Sequence, residues 1–406
     1  MQSKEVHYSK WFRIAIVNLL LASLLGVTLR LAFLVEIPGL SFKNILHGHS
    51  HVAMIGWGYL AVFALLMQFF GREFMHQQVF RLLYYGNQIA VVGMFLTFPF
   101  FGYTGIPLFF TTVHLLLAYI FTFYFLRQLS EKGFAALFVK SALIFHIIST
   151  LAIWVLPVLI VNDLRHSAAY HMAVQFFLHF QFNGWFIFAV IGIFFKIIEP
   201  QLVKIKKSNL SFFLYFLLLA TFLTYAMAVT WSEPLPFIFL INSTGVLMQF
   251  IALLYFIIIL RQISAFSHLD LAVAFFRFAL LCFILKIAIQ TLVIIPYFAV
   301  VAYTIRNFVV GFIHLILLGM ITGFILAVAI EIRWLNVNLA RIRWGLILFL
   351  LGFLSTEVLL FYQGILLWAE QGFLPQYYVV ILLLSLFFPV GLGLLCTNKP
   401  TTTVVT

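Results

Sequence analysis

Charge is what this sequence has least of. Asp, Glu, Lys and Arg make up 8% of its 406 residues while hydrophobic residues make up 65%, against about 25% and roughly 45–50% in an average soluble domain. A soluble globular chain is excluded, and the composition assigns an integral membrane protein. Cysteine is nearly absent as well. Cys282 and Cys396 both fall in apolar runs, which removes a disulfide framework and a thiolate zinc site from consideration. Long connections are missing, and no Pro-, Ser- or Gly-rich linker divides the chain, so residues 1–406 read as a single twelve-span membrane domain. No small-residue cleavage site follows the first apolar run, which therefore reads as a retained anchor.

What is present is a series of apolar runs near 20 residues, the length that crosses a ~30 Å hydrocarbon core. They lie at approximately 12–35, 46–70, 80–101, 105–127, 138–161, 168–195, 209–230, 236–260, 271–295, 303–330, 344–368 and 376–397. We number them spans one to twelve. The predicted fold is all-α, a twelve-transmembrane-helix bundle. Lys and Arg crowd the termini and every second connection, including Lys4, Arg13, Arg72, Lys132, Lys204, Arg261, Arg277, Arg341 and Lys399, whereas the opposite side receives Arg30, Lys43, Arg165 and Arg306. That split places both termini in the cytoplasm and the chain in a membrane such as the bacterial inner membrane. The net charge of +12 is then a matter of topology and anionic lipid, and gives no reason to invoke nucleic acid. Phenylalanine, at 51 residues, suits a flat macrocycle but is also a common lipid-facing residue, and the second reading is the stronger one.

Histidine carries the chemistry. Span two opens with H-G-H-S-H, placing His47, His49 and His51 at alternate positions. His114, His146, His171, His179 and His314 also fall in or at the mouths of spans, while His7, His76, His166 and His268 read as solvated. At ~1.5 Å per helical residue, His47, His49, His51 and His171 lie within about 8 Å of the outer face, His114, His179 and His314 at about 13–16 Å, and His146 somewhat deeper. An imidazole in lipid needs a partner helix, a water or a metal. One such residue is more simply a hydrogen-bonding group; eight of them biased to one side favour ligation. His47 and His51 share a helix face, and His49 points nearly the other way, so the three cannot serve one metal. In span six His171, Gln175, His179 and Asn183 form a polar stripe at steps of four, expected to face the bundle interior. In span ten Asn307, Gly311 and His314 fall on one side.

Twelve spans, a histidine cluster opening span two, histidines in span six and one in span ten resemble the catalytic subunit (subunit I) of the haem–copper oxidase and nitric oxide reductase superfamily. The resemblance implies a low-spin haem held by His51 or His47 with His314, and a sixth-span metal ligand at His171 or His179. His49, His114 and His146 are further candidates for a second metal, copper or non-haem iron. Arg306 and Arg165 stand where they could meet haem propionates, or serve as interface anchors. Span seven has no histidine, span ten has one where the superfamily places two, and no tyrosine lies four residues after His171 or His179. The NnrS family of haem- and copper-associated membrane proteins is similar in length and span number, with an early H-x-H motif; His49-Ser50-His51 matches its spacing and lacks the Glu-Met that follows it.

The function expected is a b-type haem protein, with or without copper, engaged in nitric oxide or oxygen handling or in electron transfer with a cytochrome or quinol donor. A self-sufficient proton-pumping terminal oxidase is not expected. The alternative is a histidine-lined metal transporter or proton-coupled channel, using Lys286 and Gln290 in span nine and Glu357 in span eleven. A third is a structural subunit with histidines as interhelical glue.

Overall fold

The computed structural model describes residues 2–230, 235–263 and 270–398, with side chains from Tyr8 onward. His7, His268, Lys4 and Lys399 therefore lie outside its described side chains. Among the described residues there is no strand, and twelve helices are long and apolar enough to cross a membrane. They are Tyr8–Leu31, Phe42–Phe69, Gln77–Phe101, Gly105–Gln128, Phe134–Val161, Ala168–Ile197, Lys207–Thr230, Pro236–Leu260, Leu271–Leu292, Arg306–Glu331, Ala340–Trp368 and Tyr377–Cys396. The ends are set by local chemistry. Ser41 Oγ accepts from the Asn44 amide at 3.2 Å, Ser167 Oγ from Tyr170 at 3.3 Å and Asp270 Oδ1 from Val273 at 2.8 Å, capping spans two, six and nine. Span ten starts later than hydropathy suggests. Pro296 begins a separate short helix, Pro296–Thr304, and Ile305 is extended before the span proper starts at Arg306.

The chain divides into two compact units, residues 1–129 with 325–406, and residues 130–324. In the first, span one packs on spans two and twelve, span three joins spans two and four, and span eleven packs on span twelve. Its core is aromatic: the Trp11 and Tyr84 rings stack at 4.5 Å, and the Tyr84 hydroxyl donates to the Trp11 carbonyl at 2.6 Å. In the second unit span five packs along span six, span seven along span eight, and span nine along the middle of span ten, Leu315–Thr322. Phe138, Phe145, Phe188 and Phe213 interlock there.

Three spans differ from the rest. In spans two, six and ten, 89%, 72% and 83% of the most apolar window is buried, against 28–44% in the other nine. The same three contain a π-helical stretch, Val52–Tyr59, Phe180–Phe186 and Leu315–Thr322. In each case a histidine immediately precedes it: His51, His179 and His314. A glycine follows five residues after each histidine, at Gly56, Gly184 and Gly319. The next residue is Trp57, Trp185 or Met320. Every fourth span thus carries the same local device.

Candidate functional site

A π-helical turn bonds each amide to the carbonyl five residues back, so entering it from an α-helix skips one carbonyl and widens the helix. Buried in lipid, that irregularity needs compensation from neighbours. In the first unit Asn18 of span one supplies it, its Nδ2 donating to the Gly56 carbonyl at 2.8 Å and to Gln88 Oε1 at 2.7 Å. In the second unit Thr322 Oγ donates to the Leu317 carbonyl at 2.8 Å. The glycines permit close approach. A Cβ on Gly56 would stand 2.8 Å from Val91 Cγ1 and 3.0 Å from Asn18 Cβ, and one on Gly184 would stand 2.5 Å from the Phe145 ring.

The opening of span two is the best-defined cluster. The His51 Nδ1–H donates to the His47 carbonyl one turn earlier, at 2.9 Å. That bond fixes the tautomer and leaves the Nε2 lone pair for a ligand, the arrangement usual for a metal-binding imidazole. The ring is stacked on Phe98 at 4.4 Å, and Tyr103 lies edge-on to both His47 (4.4 Å) and His51 (5.8 Å). His49 faces the other way, as the spacing predicts. Its Nδ1–H donates to the Ala22 carbonyl of span one at 2.8 Å, and its ring lies where a Cβ on Gly26 would come within 3.1 Å. His47 and His51 therefore belong to one face and His49 to another.

The remaining candidates are dispersed. His114, buried in span four, donates from Nδ1 to Asn87 Oδ1 at 2.6 Å and is edge-on to Tyr59. That orients its ring and keeps it in the first unit. In the second unit His146 Nδ1 accepts from Gln181 Nε2 at 3.2 Å, and Gln181 also donates to Ser149 Oγ at 2.9 Å. His146 of span five is thereby tied to the π-helical stretch of span six. His179 Nε2–H donates to the Thr221 carbonyl of span seven at 2.8 Å, and its Nδ1 faces Asn183 Nδ2 at 3.4 Å. His171 is exposed, Gln175 and His179 are half-buried and Asn183 is buried, so the span-six stripe does not face the interior along its whole length. His314 closes the helix Arg306–His314, with Gly311 buried one turn before it. Arg306 and Arg165 are exposed at the mouths of spans ten and six. Among the described residues, no group of three or more His, Cys, Asp or Glu side chains converges as a metal set.

The amides that hold these histidines or the Gly56 carbonyl of the π-helical stretch were missed by sequence reasoning. Asn18, Asn87, Gln88 and Gln181 are ordinary polar residues until the helices are packed. The glycines were within reach, because His-x-x-x-x-Gly recurs at spans two, six and ten. A separate polar chain joins spans eight and nine. Lys286 Nζ donates to Gln249 Oε1 at 3.1 Å, and Gln249 Nε2 donates to Gln290 Oε1 at 2.8 Å, with Lys286 only 1% exposed. No protein-family model matches the chain, and no curated protein is similar to it.

Proposed function

We propose that this chain is a membrane b-type haem protein, related to the haem–copper oxidase group, that handles nitric oxide or oxygen or passes electrons to a partner. The observation that carries the reading is the preset imidazole of His51. Its Nδ1 is held by the His47 carbonyl, its Nε2 is left as a lone-pair donor, and its ring sits between aromatic walls at the start of a π-helical stretch. Irregular helical turns of this kind gather at functional sites. His51, or His47 in its place, would hold the haem, which when bound would supply an iron able to bind a diatomic gas or carry one electron. What the chain contributes is orientation of the ring through the His47 carbonyl and an apolar wall at the buried Phe98 ring. The pairing of His51 with His314 rests on the resemblance alone, since the two residues belong to different units. A second metal at His171 or His179 with His114 or His146 is the weaker part of the proposal, because His114, His146 and His179 are already engaged with amides or a carbonyl.

The test is the absorbance spectrum of the purified protein with metal analysis of the same sample. A Soret band with iron near one or two per chain supports the reading. Metal without a Soret band favours the alternative of a histidine-lined transporter or proton-coupled channel. One observation supports that second reading: the Lys286–Gln249–Gln290 chain is a protonatable group buried among amides inside the membrane.

A further inference from the structure

The second unit contains a cleft of about 450 Å³ between spans six, eight, nine and ten, within the range of ligand pockets. Phe194, Phe256, Phe283 and Met320 form part of an almost wholly apolar shaft, and two guanidinium groups, Arg261 and Arg277, also line it. The arginines belong to the same end of the bundle. Arg261 caps the end of span eight, and Arg277 stands six residues into span nine, about 9 Å along the helix at 1.5 Å per residue. The shaft residues come from the second halves of spans six, eight and ten and from residues 276–284 of span nine, so the cleft runs from one face of the membrane to about its middle.

We infer that this cleft holds one anionic phospholipid, its acyl chain along the Phe194–Phe256–Phe283 wall and its phosphate at Arg261 and Arg277. Three observations converge on that occupant. Both arginines are exposed where they line the cleft, so a headgroup at its mouth can reach them, and a long guanidinium side chain near the end of a span extends toward the headgroup level. The cleft supplies two positive charges and no acidic side chain, which is complementary to a phosphate carrying net negative charge. The aromatic wall is built edge-to-face, with Phe194 and Phe256 centroids at 6.0 Å and Phe256 and Phe283 at 5.9 Å, and it lines an apolar channel together with the thioether of Met320. The charge pattern of the sequence assigns this side to the cytoplasm, where anionic lipid is enriched. The inference does not depend on haem.

The experiment is native mass spectrometry and lipid analysis of the full chain purified in mild detergent. The wild-type protein is expected to retain one anionic phospholipid. The double variant Arg261→Gln/Arg277→Gln is expected to retain about tenfold less of it. A Leu280→Trp variant, which fills the shaft and keeps both arginines, is expected to lose it too. A control, Lys204→Gln/Lys206→Gln, removes positive charge outside the cleft and is expected to keep it. A readout without variants is thermal unfolding of the wild-type protein in vesicles of phosphatidylcholine alone or with phosphatidylglycerol, where only the anionic lipid raises the midpoint. Equal retention in all variants, retention of a zwitterionic lipid or a quinone in its place, or equal midpoints in the two vesicles overturns the proposal.

Discussion

His49 and His51 stand two residues apart and have different neighbours. His51 is held by its own helix and stacked on Phe98, while His49 is bonded across to the Ala22 carbonyl of span one. Removing the His49 ring therefore loosens the contact between spans one and two. Asn18 is the more exacting residue, being fully buried and bonded to both Gly56 and Gln88. Asn18→Leu leaves the Gly56 carbonyl and Gln88 without that donor, and a buried polar group so stranded costs about 1–3 kcal/mol. Thermal unfolding in detergent is expected to show that loss, and an unchanged midpoint would contradict the role given to Asn18.

At the scale of the element, the glycines after His51 and His179 are places where two helices nearly touch. Gly184→Ala puts a Cβ 2.5 Å from the Phe145 ring, and overpacking of this kind typically costs 1–3 kcal/mol, or about that here. Gly393→Ala in span twelve meets nothing within 4 Å and is expected to be neutral or slightly stabilising, since alanine is the better helix former. Unfolding midpoints of the pair check this, and equal shifts would contradict it. The number and approximate placement of the spans were legible in the sequence because lipid thickness fixes how long an apolar run must be, while spans one, two, five and eleven start four residues earlier than hydropathy placed them. The short helix Pro296–Thr304 fell mostly in the connection between spans nine and ten, and its last residues were joined to span ten, since hydropathy does not register a break at Ile305 when both sides are apolar. The π-helical stretches were invisible for a different reason. They alter hydrogen-bond register without altering composition, and only the repeated glycine five residues after a histidine betrays them.

At the scale of the molecule, the histidines were legible as a set and their partners were not. An imidazole in lipid announces itself, whereas Gln181 and Asn87 become informative only once packing brings them to His146 and His114. The reading also limits what the chain can do. Span seven offers no histidine, and His179 spends its Nε2–H on the Thr221 carbonyl of that span, so full oxygen reduction at a haem–copper centre is not expected. Oxygen uptake by purified protein in vesicles with an artificial donor is expected to stay far below turnover on the order of 1–10³ per second, the range typical of enzymes. Rates in that range would overturn the restriction.

The central claim is tested most directly by comparing the absorbance spectra of the wild-type protein, His51→Ala and His49→Ala, purified in parallel. The account predicts a Soret band in the wild-type protein, loss or conversion of its low-spin signature in His51→Ala, and its retention in His49→Ala, because His49 is turned toward Ala22. A wild-type protein without a Soret band, or a low-spin spectrum unchanged by His51→Ala, would contradict it.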